Sequence, residues 1–282
     1  MTTDRSEHAG GCCTPRDGRT VCDLSLTPTA TGTVIREVFG RAYERGDRPA
    51  LIDLHGGLVY GYRKLVTEVT VAASGLVRRG ARRDQVVGVL VSTACAQTLA
   101  VHTVLAAGGV AAPVDPRLPP EQVADLLNGW DARMLITTPD LAESAVRAAD
   151  LSRVRQVLSF GDALDTIDFA DLFGLEPAPL PSIDPYTQQA VVTAGGVPLT
   201  HRSVLARMME LDLPARLTEA DVLLVTWPPD GGYDLVALIG LAVGRGALVV
   251  AAHGLGLADL PATVHDFGIT VTAMPDGSIE RL

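Results

Sequence analysis

The sequence predicts an α/β fold in which mostly parallel sheets are flanked by helices, and three observations support this. Segments with helical periodicity alternate with short apolar segments along most of the chain, the order that parallel strands joined by helical crossovers produce. One of these segments, Gln85–Val91, is apolar at almost every position, which is typical of a strand buried on both faces. Glycines stand where helices should stop, as at Gly80 and at Gly108–Gly109.

The predicted elements begin with a helix and a hairpin. The predicted strands cover Ala50–Asp53, Leu58–Tyr60, Gln85–Val91, Val110–Val114, Met134–Thr137, Val154–Leu158, Val191–Val192, Val222–Thr226, Ala247–Ala251 and Ile269–Thr272. The predicted helices cover Thr33–Arg45, Tyr62–Arg79, Ala94–Ala107, the segment opened by Pro119–Pro120, the segment between Thr137 and Val154, Thr200–Leu213 and Leu257–Phe267. Residues 159–187 are expected to be a loop. The apolar stretch Leu235–Ala252 is interpreted as a buried helix, a turn and a strand, because Gly244-Arg245-Gly246 interrupts it.

Composition narrows the classes of function. The 282 residues include 23 Lys plus Arg against 33 Asp plus Glu, which gives a net charge of −10. An acidic chain has no general attraction for phosphate backbones or anionic lipid, so neither nucleic acid nor membrane is an expected partner. Lys64 is the single lysine of the sequence, so a mechanism that needs a lysine must use Lys64 or a partner's lysine.

The domain organisation is expected to be a tail and two α/β parts. Residues 1–29 lack apolar periodicity and predict a disordered tail, residues 30–180 a first α/β subdomain, and residues 181–282 a partial second subdomain. The tail holds Cys12, Cys13 and Cys22 without a C-x-x-C pair, so reduced thiols are expected rather than a metal site. The first residues contain no apolar run, and we expect a cytoplasmic protein.

Two glycine pairs are candidates for a phosphate-binding loop. Gly108–Gly109 and Gly195–Gly196 each stand between predicted strands and helices, where backbone N–H groups can approach an anion. Neither matches a known phosphate-loop spacing, and a double glycine is more often only a stop signal. His201 follows Thr200, a predicted N-cap, and has the best claim of the six histidines to a site. The alternative is an exposed histidine in the first turn of a helix.

Other polar groups have weaker claims. Ser92, His102 and Asp115 include the residue types of a hydrolase triad, but the sequence has no G-x-S-x-G elbow, and His102 is expected to be packed. The segment Asp230–Asp234 predicts a polar loop after a strand, where α/β proteins place ligands.

Two longer motifs resemble the adenylate-forming superfamily. They are Arg48-Pro-Ala-Leu-Ile-Asp53 and Val104-Leu-Ala-Ala-Gly-Gly-Val-Ala-Ala-Pro-Val-Asp-Pro116, of which the second is the more specific. Together with their order they resemble the N-terminal domain of AMP-binding enzymes, most closely acyl-CoA synthetases of the 4-coumarate ligase kind, over about residues 30–282. The resemblance implies ATP and a carboxylic acid as substrates and an acyl-AMP product.

The departures from the family pattern bear on activity. The family's phosphate loop reads roughly T-S-G-T-T-G-x-P-K-G before a histidine, whereas this chain reads Val192-Thr-Ala-Gly-Gly-Val-Pro-Leu-Thr-His201. Thr193, Gly195, Gly196 and His201 are therefore a remnant, without the lysine and most of the hydroxyls that hold phosphates and Mg²⁺.

Two further family features are missing from the sequence. The segment Trp227-Pro-Pro-Asp-Gly-Gly-Tyr233 lacks the family's histidine. The family's later acidic motif, its ribose-binding aspartate and its C-terminal lysine would all follow Pro275. The expected fold is thus a truncated N-terminal domain of the adenylate-forming fold.

The expected function is that of a degenerate ligase-like protein, unable to form acyl-adenylates alone, that binds or assists a biosynthetic enzyme. One alternative is a half-enzyme completed by a partner chain, and another is a module that binds some other nucleotide at Gly195–Gly196. No catalytic residue, metal or cofactor is expected for the isolated chain, and ATP or AMP with Mg²⁺ belongs to the enzymatic alternative. Expected partners are a second copy, a related synthetase or a carrier protein. The sheet that contains Val222–Thr226, Ala247–Ala251 and Ile269–Thr272 is expected to leave apolar surface and at least one strand edge open.

Overall fold

A computed structural model describes residues 32–54, 57–174, 176–193, 195–227, 232–253, 259–273 and 279–282. The tail expected at residues 1–29, with its three cysteines, lies outside these ranges. So does part of the polar loop expected at residues 230–234.

The described residues form thirteen strands and nine α-helices. The strands are β1 (Pro49–Asp53), β2 (Leu58–Gly61), β3 (Val86–Leu90), β4 (Val110–Pro113), β5 (Met134–Thr137), β6 (Gln156–Ser159), β7 (Ile167–Asp168), β8 (Gln189–Val192), β9 (Pro198–Thr200), β10 (Val222–Trp227), β11 (Leu248–His253), β12 (Val271–Ala273) and β13 (Ile279–Arg281). The helices are α1 (Val34–Phe39), α2 (Ala42–Arg45), α3 (Tyr62–Arg78), α4 (Ala94–Ala106), α5 (Pro120–Gly129), α6 (Ala142–Asp150), α7 (His201–Ala215), α8 (Gly232–Arg245) and α9 (Leu260–Phe267). Single 3₁₀ turns cover Pro139–Leu141 and Phe169–Leu172.

The strands assemble into two sheets. The six-stranded sheet has the order β13-β12-β10-β11-β1-β2, and the seven-stranded sheet has the order β7-β6-β5-β3-β4-β8-β9. Neighbouring strands are parallel except in the pairs β1–β2, β8–β9 and β12–β13. The mostly parallel α/β fold predicted from the sequence is confirmed.

A layer of helices lies between the two sheets. All thirteen residues of α4 are buried, and α4 contacts β3 and β4 of one sheet as well as β1 of the other. Helices α5 and α6 pack on the opposite face of the seven-stranded sheet, and α9 packs on the outer face of the six-stranded sheet. Each sheet is therefore covered on both faces, which explains why its central strands are apolar throughout.

Most predicted elements are present, with differences at short ones. The single helix expected over Thr33–Arg45 is two helices, because α1 ends at Gly40, whose N–H bonds the Arg36 carbonyl at 2.8 Å. The loop expected at residues 159–187 contains β7 and a 3₁₀ turn, and β9 and β13 were not predicted. The stretch Leu235–Ala252 forms the C-terminal part of α8, a turn and most of β11, as expected. None of the described helices is both long and apolar enough to cross a membrane.

The sheets bear on two further expectations. Strands from both sides of residue 180 contribute to each sheet, so the sheets themselves do not mark that subdomain boundary, which stays a prediction. The strands β10, β11 and β12 each have a neighbour on both sides, so among the described strands the edges of this sheet are β13 and β2. β12 is covered by β13, which Arg281 anchors through hydrogen bonds of 2.9 and 3.1 Å to the buried Asp221 carboxylate.

Candidate functional site

Thr193 and residues 195–197 belong to the connection of the β8–β9 hairpin, named here the 193–197 turn, in which residue 194 lies outside the described ranges. The last pair of the hairpin joins Val192 to Pro198. Beyond it, the N–H of Thr193 donates to the Val197 carbonyl at 3.0 Å, and the N–H of Gly196 donates to the Thr193 carbonyl at 2.8 Å. The N–H of Val197 donates to the Thr193 hydroxyl at 3.2 Å. Three backbone donors of the remnant are thus used within the turn, whereas a phosphate cradle presents such donors to the ligand.

The two glycines of this turn serve its backbone. Gly196 has φ +78°, in the left-handed region that favours glycine. A Cβ at Gly196 would lie 3.7 Å from Trp130 Nε1, and one at Gly195 would lie 3.9 Å from the Thr193 hydroxyl, both ordinary contacts. The left-handed φ explains the glycine at 196, whereas an added Cβ at Gly195 would make only an ordinary contact with the protein.

His201 lies away from this turn, in the core. Thr200 is the N-cap of α7, as predicted, and its hydroxyl accepts the Ser203 N–H at 3.2 Å. The His201 side chain is fully buried and its Nδ1 accepts the N–H of Val34, at the start of α1, at 3.4 Å. The exposed first-turn alternative is therefore wrong. Burial lowers the pKa of His201 to about 4, so the imidazole is neutral at physiological pH.

The other glycine pair is a helix stop. Gly108 follows α4 with φ +77°, and a Cβ there would lie 2.6 Å from Pro181 Cγ. Its carbonyl accepts a hydrogen bond from Gln188 Nε2 at 2.8 Å. Gly108–Gly109 is buried under these side chains, which leaves no room for a phosphate.

The triad residue types are not brought together. Ser92 Oγ donates to Asp140 at 2.9 Å, and Asp115 pairs with Arg117 at 2.7 Å. His102 is buried in α4, as expected, with Nδ1 at 2.7 Å from the Thr98 carbonyl. Each group is engaged elsewhere, so the structure supports no hydrolase triad.

A cleft of about 640 Å³ was not anticipated from the sequence. It opens where β1, β3, β5 and β6 end, and Asp53, Ser92, Asp140 and Phe160 line it there. Because the carboxyl ends of parallel strands meet at one edge of a sheet, the positions of Ser92 and Asp140 soon after the apolar strands β3 and β5 were a usable signal.

Comparison with known proteins decides the family. The model of the AMP-binding enzyme family matches residues 38–191, more than half of the chain. The chain belongs to the AMP-binding enzyme family. A plipastatin synthase protein of Bacillus subtilis is 24% identical over 217 residues, which are 72% of this chain and 8% of that protein. Nonribosomal peptide synthetase 8 of Aspergillus fumigatus is 30% identical over 168 residues, 58% of this chain and 2% of that protein.

Solved structures of the same family share the fold. A long-chain-fatty-acid-CoA ligase from Archaeoglobus fulgidus superposes with a TM-score of 0.77 at 17% identity, covering 87% of this chain and 52% of that one. MbtA of Mycobacterium smegmatis superposes with a TM-score of 0.73 at 25% identity, covering 86% of this chain and 48% of that one. The fold is that of the N-terminal domain of adenylate-forming enzymes, and this AMP-binding family member spans about half the length of those structures.

Proposed function

We propose that this AMP-binding family member does not form acyl-adenylates by itself and acts by binding, as an accessory to a biosynthetic enzyme. The observation that carries the proposal is the turn at 193–197, where the N–H groups of Thr193, Gly196 and Val197 bond within the turn. In the family pattern this position holds the triphosphate. Removing one preorganised donor from such a site commonly costs about 10²–10³ in rate, and several are absent here.

Charge supports the same proposal. The segment 192–201 contains no lysine or arginine, and Arg202 lies over the Tyr186 ring, 5.1 Å from its centroid. Lys64, the single lysine, is on α3 and pairs with Glu68 at 3.7 Å. The residues of the turn therefore do not fit a triphosphate with Mg²⁺, and no catalytic step is derived through those groups.

His201 adds a steric argument. Its imidazole lies between α7 and the start of α1, with Nδ1 bonded to Val34. To reach a nucleotide it would have to leave the core and break this contact. A buried neutral histidine here is explained by packing, which favours a binding role over a catalytic one.

The partners proposed are a related synthetase, its carrier protein or a second copy of the chain, in the cytoplasm. The similarity to peptide synthetases, the plipastatin synthase protein among them, supports the first two. The half-enzyme alternative would bring ATP or AMP and Mg²⁺ into the site from a complementary chain, and the accessory role requires none of these.

Carboxylate-dependent ATP–pyrophosphate exchange tests the proposal. The purified chain is assayed with fatty, aryl and amino acids, beside a full-length acyl-CoA ligase as positive control. We expect no exchange above the enzyme-free background. Robust exchange by the chain would overturn the proposal. The variant Thr193→Val, which removes a hydrogen bond of the turn, controls for a contaminating ligase, because exchange by the chain itself should change in rate in this variant. Exchange that requires a second chain would favour the half-enzyme.

A further inference from the structure

The cleft at the carboxyl ends of the strands has the size and position of a small-molecule site. Its volume of about 640 Å³ is within the range that drug-sized ligands occupy. Ligands of α/β proteins bind beyond the carboxyl ends of parallel strands, which is where this cleft lies. The residues of the 193–197 turn and His201 do not line it.

Aromatic rings form one wall of the cleft. The rings of Phe160 and Phe169 are 4.3 Å apart between centroids, and Phe169 and Phe173 are 6.1 Å apart in an edge-to-face arrangement. Tyr60 and Leu58 line it as well. Phe173 is 38% exposed although it is a large apolar side chain, as expected for the mouth of an apolar pocket.

Four carboxylates also line the cleft, and the described lining includes no lysine, arginine or histidine. The acidic lining residues are Asp53, Glu68, Asp140 and Asp168. Asp140 accepts a hydrogen bond from the Ser92 hydroxyl at 2.9 Å, and Asp168 accepts one from the Ala170 N–H at 2.9 Å. Both donors are neutral, so these hydrogen bonds do not cancel the negative charge of the carboxylates. Lys64, outside the lining, offsets part of the charge of Glu68.

Two groups of the lining have raised pKa values, chiefly because they are buried. The pKa of Tyr60 is raised to about 12, first by burial and then by the nearby carboxylates of Glu68 and Asp53. The pKa of the Cys95 thiol is raised by burial and by Asp53. Cys95 also lines the cleft, is buried, and makes no disulfide within the described part of the chain.

One feature of the cleft favours an anionic ligand instead. Thr93, the N-cap of α4, lines the cleft, and a helix N-terminus carries about half a positive charge. That half charge is smaller than the summed charge of the four lining carboxylates. The N–H of Ala96 is moreover already capped by the Thr93 hydroxyl at 3.1 Å. The described lining therefore carries a net negative charge.

We propose that this cleft binds an organic cation, an amine or quaternary ammonium group on an aromatic or branched apolar body. The carboxylates of Asp140 and Asp168 attract the cation, and the Phe160, Phe169 and Phe173 rings take the apolar body and supply cation–π attraction. The inference does not depend on the outcome of ATP–pyrophosphate exchange, because no residue of the 193–197 turn takes part.

Calorimetric titration of the full chain at neutral pH tests the proposal with three probes of matched size. Phenethylamine is cationic, phenethyl alcohol is neutral and hydrocinnamate is anionic. We expect the amine to bind at least about tenfold more tightly than the alcohol, and more weakly as salt is added, with the acid weakest. Equal affinities, tightest binding of the acid, or no binding of the amine at millimolar concentration would overturn the proposal.

Paired variants place the binding in the cleft. Asp140→Asn and Asp168→Asn keep the shape of the side chain and remove its charge. Each should weaken the affinity for the amine by about fivefold and leave the affinity for the alcohol unchanged. The control Asp125→Asn, at an exposed position on α5, should change neither affinity. Phe173→Ala should weaken the binding of the amine and of the alcohol to the same extent. Phe267→Ala, at a 36% exposed phenylalanine on α9, should weaken neither. Equal effects of the cleft variants and their controls would contradict the assignment.

Discussion

Two histidines of the core, His102 and His201, are held neutral by the fold. Burial lowers the pKa of each to about 4, and for His102 a hydrogen bond with the Thr98 carbonyl offsets only part of the effect. The edge of the His102 ring packs on Phe39, with centroids 5.1 Å apart. The Nε2 atoms of both rings are buried and have no hydrogen-bond partner among the described residues. A proton added to either ring would place a charge in an apolar environment.

We expect the free energy of unfolding to fall as the pH is lowered from about 6.5 toward 4. The folded-state pKa of both histidines lies below the unfolded value, so the unfolded chain binds more protons in this window and stability rises with pH. Each histidine should lower the free energy of unfolding by on the order of 2–3 kcal/mol at pH 4, since one pKa unit corresponds to about 1.4 kcal/mol. Urea unfolding at a series of pH values measures this.

Two histidine variants serve as controls for the pH profile. His201→Gln should remove about half of the slope between pH 6.5 and 5, whereas His265→Gln, at an exposed position on α9, should leave it unchanged. A stability that is flat from pH 6.5 to 5 in the parent chain would show that the two imidazoles are hydrated.

His201 also shows what the sequence can predict about a residue. The helix start and the Thr200 cap are local features and were predicted correctly. The burial of the ring depends on Val34, 167 residues earlier in the chain, and no local pattern encodes that contact. The same limit explains why Gly195–Gly196 reads as a phosphate-loop candidate in sequence and forms a closed turn in the structure.

Helix α3 and the 3₁₀ turn at Phe169–Leu172 approach each other closely at Gly75. A Cβ at Gly75 would lie 2.8 Å from Leu172 Cα, and it would clash with the Leu172 carbonyl oxygen as well. Both contacts are to backbone, which cannot move as a flexible side chain can. Since the 3₁₀ turn carries Phe169, this glycine also positions the aromatic wall of the cleft.

We predict that Gly75→Ala lowers the free energy of unfolding by about 1–3 kcal/mol, although alanine is the better helix former. Gly129→Ala, at the last residue of α5 with no atom within 4 Å of the added Cβ, should instead be stabilising by about 0.5–1 kcal/mol. Urea unfolding of both variants measures the difference. Equal effects of the two substitutions would mean that the 3₁₀ turn is not held against α3.

Sequence periodicity predicted the long elements and missed the short ones. Strands such as β3 and β5 and helices such as α3 and α4 carry their own apolar pattern, so their bounds agree with prediction within one or two residues. Strands β7, β9 and β13 have two or three residues each and exist only because a neighbouring strand pairs with them. The cleft was missed for a different reason, since its lining comes from six separate stretches of the chain.

At the scale of the whole molecule, the two sheets share one core. The largest cluster of buried apolar residues includes Leu51 and Val249 of the six-stranded sheet, Val87 and Ile136 of the seven-stranded sheet, and the α4 residues between them. The strands β10, β11 and β12 lie inside the six-stranded sheet, whose described edge strands are β13 and β2. Self-association stays a prediction. A second copy could pair with the described edge strand β2, where Leu58 and Val59 are exposed.

We propose above that the turn at 193–197 does not hold a nucleoside triphosphate. Calorimetric titration of the full chain with ATP in excess Mg²⁺, up to several millimolar, tests this. Because the donors of Thr193, Gly196 and Val197 are bonded within the turn, we predict no saturable heat. A saturable heat of one nucleotide per chain, lost in Thr193→Val, would place ATP at the turn and refute the proposal.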